Sequence, residues 1–235
     1  MNLSVIPMVN AIINANSVTA SAHVRFLSFH VVCSLLMFRS IMREYPIELV
    51  LKDKTKVIIR PLVEEDFMVM HQFFMKIPRE DLIIYKDDVS NWESLENWFM
   101  SPNYEKVIEL VTLRKEEVVA RGTLHTQGLY WPHAAEVKLI IHPEYRGKGL
   151  GSQMFNVLLY EGLKRHFQKI IVRYMPDNLS FMKILGHYGF EPETVLNYYV
   201  TDENTNEQKD LIIASYDLQN WERRFEFYTL IFGNE

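Results

Sequence analysis

Arg146-Gly-Lys-Gly-Leu-Gly151 places three glycines within five residues, where a strand pattern gives way to a helix pattern. Glycine lets the backbone approach a ligand closely, and the first amides of a helix have no intrahelical acceptor. Added to the positive end of the helix dipole, these amides make an anion seat suited to a pyrophosphate. Arg146 and Lys148 add mobile positive charge to it. Two other phosphate motifs are excluded by spacing. A dinucleotide fingerprint needs Gly-x-Gly-x-x-Gly, and its third glycine would fall on Ser152 or Met154. A nucleotide P-loop needs Ser or Thr after its lysine, and Lys148 is followed by Gly149.

The elements that must hold this loop are legible from periodicity. Residues 47–52 and 55–60 alternate as two strands about an Asp53-Lys54 turn, and Pro61 ends the second. Glu64, Glu65 and Asp66 put acids in the first turn of a helix that runs through Phe67, Met70, Phe73 and Phe74 to Pro78. Ser90 with Glu93 reads as a capping box for a helix bearing Trp92, Leu95, Trp98 and Phe99. Both aromatic stripes are read as core. Three strands follow, at 106–113, 118–126 and 135–141, then a helix over 149–167 with a broad apolar face. After a strand at 169–174, a helix over 178–188 ends in Gly189-Phe190, a Schellman signature. Segments 194–201 and 209–216 close the pattern as a hairpin. Antiparallel strands, then strand–helix–strand, then helix–hairpin is an α+β order with one parallel crossover.

In that strand–loop–helix context, Arg146-Gly-Lys-Gly-Leu-Gly151 resembles the acyl-CoA signature of the GNAT superfamily of N-acetyltransferases, Gln/Arg-x-x-Gly-x-Gly/Ala. The similarity of element order runs over about residues 47–218. It implies a GNAT (acyl-CoA N-acyltransferase) fold, α+β, with a mixed, mostly antiparallel central sheet and helices on both faces. It also implies acetyl transfer from acetyl-CoA to a primary amine, with no metal. On this resemblance Arg146, Gly147, Lys148, Gly149, Leu150, Gly151 and Ser152 hold the pyrophosphate. Leu139, Ile140 and Ile141 hold the pantetheine and polarise the thioester through their backbone, between two splayed strands. Asn178 resembles the asparagine that contacts the pantetheine arm, and it is equally well placed as a helix N-cap. Residues 77–91 and the last hairpin would shape the acceptor site.

An alkyl ammonium with a pKa near 10 must lose a proton before it can attack. Glu136 is the candidate base, because it stands where many family members carry a carboxylate; the alternative is a same-face ion pair with Lys138. His133, in the turn after Trp131-Pro132, is the second candidate. The family's usual acid, a tyrosine five residues before the closing Phe, is Leu185 here, and Tyr188 lies almost a turn further on. A thiolate leaves tolerably without an acid, so turnover survives that departure. The only cysteine, Cys33, lies before Met42, so direct attack in a ternary complex is favoured over a cysteinyl acyl-enzyme. A non-catalytic acyl-CoA sensor is the alternative reading, and another acyl or aminoacyl transferase on the same fold a weaker third. Asp87 and Asp88 read as an attractor for a cationic acceptor or as a solvated pair, and at most one of Tyr198 and Tyr199 can point into the cleft.

Composition bounds the rest. With 235 residues, 48% hydrophobic, the chain holds one well-filled core rather than two full domains. A net charge of −5 argues against nucleic acid as a partner. One cysteine and scattered histidines give no disulfide framework and no zinc spacing, which fits a cytoplasmic setting. Residues 1–43 contain no Asp or Glu, so 1–41 is expected to be a leader: a start-site artefact, a targeting segment or an extension. Its apolar run, residues 26–38, is short of the about 20 residues a membrane span needs, so no stable insertion is expected. The domain proper is expected over 42–220, with 221–235 an aromatic extension open to two uses, a homodimer interface or a cover for a sheet edge.

Overall fold

A single eight-stranded sheet, in the order β1-β2-β3-β4-β5-β6-β8-β7, organises the chain. The computed structural model describes residues 45–83, 85, 89–100, 107–128, 131–202 and 205–218, which fall within one compact unit, Arg43–Leu218. The leader, Asp87, Asp88 and the C-terminal extension lie outside the described residues.

The strands are β1 (Ile47–Val50), β2 (Lys56–Pro61), β3 (Val107–Arg114), β4 (Glu117–Thr126), β5 (Ala134–Ile141), β6 (Lys169–Tyr174), β7 (Glu191–Asp202) and β8 (Glu207–Asp217). Every neighbouring pair is antiparallel except β5–β6. That exception follows from the connection. Only a crossover of a dozen or more residues returns the chain to run parallel, and the helix α4 (Leu150–Lys164) supplies it.

Alternation on the central strands divides the core into two layers. On one face Val111, Leu113, Val118 and Ile140 pack with Met70, Phe73 and Phe74 of α1 (Phe67–Met75) and Leu95 of α3 (Trp92–Met100). On the other, Met154, Phe155 and Leu158 of α4 are fully buried. Gly122 of β4 lies directly beneath that helix: a Cβ there would come 2.7 Å from Met154 Cε and 2.8 Å from Leu158 Cδ1. Helices on both faces of a mostly antiparallel sheet make this α+β, as the element order requires.

Several local expectations shift. Glu64–Asp66 forms a 3-10 turn ahead of α1, tied down by Asp66, whose carboxylate takes two bonds from Arg60 at 2.6 and 2.7 Å and one from the Val63 amide at 3.0 Å. The cap of α3 is Asn91, whose Oδ1 accepts from Ser94 N–H at 3.2 Å, one residue beyond the expected Ser90. A four-residue helix, α2 (Arg79–Leu82), occupies part of the segment read as linker. The closing helix α5 (Leu179–Tyr188) ends as its sequence requires: Gly189 takes φ 83°, and Phe190 N–H reaches Leu185 O at 3.0 Å. On β7 the register shifts between Leu196 and Val200 and Tyr198 takes φ 54°. This bulge interrupts the ladder, and Tyr198 and Tyr199, expected on opposite faces, are both exposed on this edge strand.

Candidate active site

The site begins where β5 and β6 stop pairing. Their parallel register runs from Ala134↔Lys169 to Val137↔Val172 and ends there, although β5 continues to Ile141 and β6 to Tyr174. Lys138 to Ile141 stay paired to β4 on their other side, through Thr123↔Lys138 to Ala120↔Ile141. Among the described residues no strand covers their β6 side, which is an open edge able to hydrogen-bond an extended ligand.

That edge leads straight into the glycine loop. Gly147 and Gly149 take φ 72° and 89°, a region that residues with a Cβ rarely adopt. Gly149 is the N-cap of α4 and has no side chain to cap it. The first helical bond is Gln153 N–H to Gly149 O at 3.2 Å, so the amides of Leu150, Gly151 and Ser152 find no acceptor among the described residues. Gly151 serves packing instead of reach, since a Cβ there would lie 3.0 Å from Ile141 and Ile184. Leu150 is fully buried, which fixes the start of the helix.

The two cations of the loop are already engaged. Arg146 Nη2 lies 2.6 Å from Asp81 Oδ2 of α2, and its Nε donates to Ile141 O at 3.0 Å. Lys148 Nζ lies 2.8 Å from Asp53 Oδ2, and this bond with those from Thr55 lowers the Asp53 carboxyl to about 2. The mobile charge expected from Arg146 and Lys148 is thus tied to carboxylates from other segments, which a linear sequence does not place beside them. The Lys52 amide donates to Lys148 O at 3.1 Å, and the Lys52 side chain lies along Gly149.

Glu136 is buried at 5% exposure. Its Oε2 receives Arg173 Nη1 at 2.6 Å and Gln127 Nε2 at 3.4 Å, and no described residue donates to Oε1. The ion pair at Glu136 is therefore made with Arg173 of the parallel neighbour β6, and the Lys138 ammonium lies 5.4 Å from the centre of the Tyr85 ring. Glu136 and Arg173 flank the last paired position, so they join the two strands just below their opening. Across the antiparallel pair, Glu136 faces His125, whose imidazole is pushed down to about 3 by burial, with Lys138 and Arg121 adding to the effect. At neutral pH His125 is uncharged. His133 is exposed in the turn before β5, and its carbonyl accepts from Gln168 N–H at 2.7 Å and Lys169 N–H at 3.1 Å. It lies about 20 Å along the strand from Leu139, six residues at about 3.3 Å each.

The same face carries a buried cation. Arg121, at 3% exposure, donates to Tyr85 Oη at 2.9 Å and Glu109 Oε1 at 3.2 Å and lies 4.4 Å over the Trp98 ring. Burial works against its charge, but Glu109 and Tyr85 outweigh burial and raise its pKa above the usual arginine value. Arg121 thereby pins Tyr85, from the segment the resemblance gives to the acceptor, to the sheet. Glu109 Oε2, Arg121 Nε, Thr123 Oγ1 and His125 Nε2 are buried and find no partner among the described residues, so this face of the cleft is rich in hydrogen-bonding groups. Arg121, His125, Gln127 and Arg173 had no distinguishing sequence signal. Only cross-strand register brings them to Glu136 and Tyr85.

Asn178 is the N-cap of α5, its Oδ1 accepting from Phe181 N–H at 3.1 Å. The cap uses the oxygen, leaving the amide nitrogen to meet a ligand. Asn178→Asp should therefore keep stability within about 0.5 kcal/mol while weakening acetyl-CoA binding, and Asn178→Ala should also cost about 1 kcal/mol of stability. Urea unfolding alongside calorimetric titration separates the two roles. Leu185 is buried at 3% in the usual acid position, and the Tyr188 hydroxyl is bonded to Asn156 Oδ1.

The parallel pair that parts at one end, the adjoining glycine loop at a helix N-terminus and the polar face beside them form one continuous candidate site. The family comparison says what kind of domain carries it. Residues 56–191, more than half of the chain, match the Acetyltransferase (GNAT) domain, and the chain belongs to that family. Among solved structures it is similar to the ribosomal-protein-S5-alanine acetyltransferase of Vibrio fischeri (TM-score 0.60, 20% identity, 70% of this chain and 94% of that one). It is also similar to an N-acetyltransferase of Staphylococcus aureus Mu50 (TM-score 0.59, 18% identity, 69% and 98%). A third is yncA of Salmonella typhimurium with its cofactor acetyl-CoA (TM-score 0.57, 14% identity, 69% and 94%). At these identities the likeness is one of fold. Among the described residues no helix is long and apolar enough to cross a membrane.

Proposed function

We propose that this chain transfers the acetyl group of acetyl-CoA to a primary amine by direct attack in a ternary complex. The observation that carries the reading is the continuity of the open β5 edge with the glycine loop: a donor can lie with its pantetheine along 139–141 and its pyrophosphate on the amides of 147–152. Sterics support the same reading at Gly147, where a Cβ would meet no atom within 4 Å.

The amine nitrogen attacks the thioester carbon, the carbon–sulfur bond breaks, and CoA leaves as a thiolate. Backbone N–H groups of β5 stabilise the tetrahedral oxyanion, and much of the acceleration comes from holding the two reactants together. Glu136 takes the proton at Oε1, directly or through one water, while Arg173 holds Oε2. Leu185 cannot protonate the thiolate, and Tyr188 is committed to Asn156, so the thiolate takes its proton from solvent. A cytoplasmic setting belongs to the same reading.

A non-catalytic acyl-CoA sensor is favoured by one observation, the buried Leu185 in the acid position. Release of free CoA, measured by a thiol reagent against a panel of amines, separates the two. Turnover with at least one amine is expected. Tight acetyl-CoA binding with no release above the hydrolytic background across polyamines, amino acids, aminoglycosides and peptide N-termini would favour the sensor.

A further inference from the structure

The β1–β2 turn touches the glycine loop at three points: Lys52 N–H donates to Lys148 O at 3.1 Å, Asp53 pairs with Lys148 Nζ at 2.8 Å, and the Lys52 stem lies over Gly149. A Cβ at Gly149 would meet Lys52 Cε at 3.5 Å and Cγ at 3.7 Å, so the lysine runs across the N-cap of α4. The turn that presents it is closely bonded. Leu51 N–H reaches Thr55 O at 2.8 Å, Lys54 N–H reaches Leu51 O at 2.9 Å, and Thr55 N–H reaches Asp53 Oδ1 at 3.1 Å. Arg146 and Lys148, the cations of the loop itself, face Asp81 and Asp53. Among the described residues no carboxylate lies within ion-pair distance of the Lys52 ammonium, and the side chain is exposed.

We infer that Lys52 is a donor-binding residue, supplying from a separate hairpin the uncommitted positive charge that the diphosphate of acetyl-CoA meets at the α4 N-terminus. The inference rests on the acetyl-CoA reading above and adds to it a residue outside the glycine signature. Its physical basis is an energy comparison. A phosphate drawing on Arg146 or Lys148 must compete with a carboxylate already in contact, whereas the Lys52 charge is opposed only by water. Anchoring by the backbone of Lys52 itself limits the ordering the side chain must undergo on binding.

Calorimetric titration of the full chain tests this with two ligands, acetyl-CoA and S-acetylpantetheine, the latter lacking the diphosphate and nucleotide. Lys52→Met should weaken acetyl-CoA binding about tenfold, the value of one charge-assisted hydrogen bond, and flatten its dependence on salt. Lys52→Arg should restore most of the affinity, and Lys54→Met, the same charge change on the same turn, should leave it within about twofold. S-acetylpantetheine should bind the wild type and Lys52→Met alike. Acetyl-CoA affinity unchanged in Lys52→Met, an equal loss in Lys54→Met, or an equal loss for S-acetylpantetheine each overturns the assignment. A wild-type chain that does not bind acetyl-CoA at all overturns the donor reading and this inference with it, so the two failures are distinguishable.

Discussion

Gly149→Glu should remove measurable acetyl-CoA binding, a loss of more than about 100-fold, while the chain stays folded. Gly149 holds φ 89° and ψ −5° at the N-cap of α4, and its carbonyl accepts the first helical bond. An L-residue in this left-handed region costs about 1–2 kcal/mol. That cost falls on a surface loop, and the nearest atoms to the new Cβ belong to the flexible Lys52 side chain, so the core is untouched. The carboxylate would stand where the phosphates should sit and would pair with Lys52, closing the seat with the cation that the diphosphate needs. Calorimetry reports the affinity and circular dichroism the fold. Retained affinity in a folded Gly149→Glu protein would remove the glycine loop from the donor site.

Glu136→Gln has the second large effect expected. The substitution keeps the side chain's length and its contact with Arg173 while removing the proton acceptor. The maximal rate should fall by roughly 10²–10⁴-fold with acetyl-CoA affinity nearly unchanged. Part of the rate should return at high pH, where more of the amine is already neutral. Arg173 sharpens the reading of this experiment. If Glu136 serves only to join β5 and β6 through that ion pair, the glutamine variant should lose stability and donor affinity together and leave the rate per bound complex intact. Rates, affinities and unfolding midpoints measured on one preparation distinguish the outcomes. Full activity would shift the proton to a water chain, since His133 lies at the far end of the strand.

Much of this architecture is readable from residue order because it is decided locally. Apolar and β-branched runs bounded by turn signals mark the eight strands to within a few residues, and apolar faces mark α1, α3, α4 and α5. Gly189-Phe190 encodes its own left-handed cap. The glycine loop is legible for the same reason: three residues without a Cβ beside a helix start have one steric consequence wherever they occur. The errors are also local. Ser90 and Asn91 are both good caps, and only the path of the chain chooses between them. Alternation on β7 fails around Tyr198 because a bulge, invisible to a period-two pattern, sets Asn197, Tyr198 and Tyr199 against Asp210 alone.

The charges of the site follow another rule. Glu136 alone suggests a partner two residues along its own strand, but same-strand neighbours on one face are nearly 7 Å apart. A side chain on the adjacent strand starts closer, and parallel β6 brings Arg173 there. Register between distant segments likewise puts Asp81 against Arg146, Asp53 against Lys148, Lys52 over Gly149 and Tyr85 onto Arg121. By itself, then, the sequence determined the backbone conformations that make a seat for an anion, because glycine sterics and helix dipoles act within a few residues. The tertiary structure decided which of the surrounding charges are neutralised and which are free to meet a ligand, because Coulomb interactions depend on distance in space, and the sheet sets those distances between residues far apart in the chain.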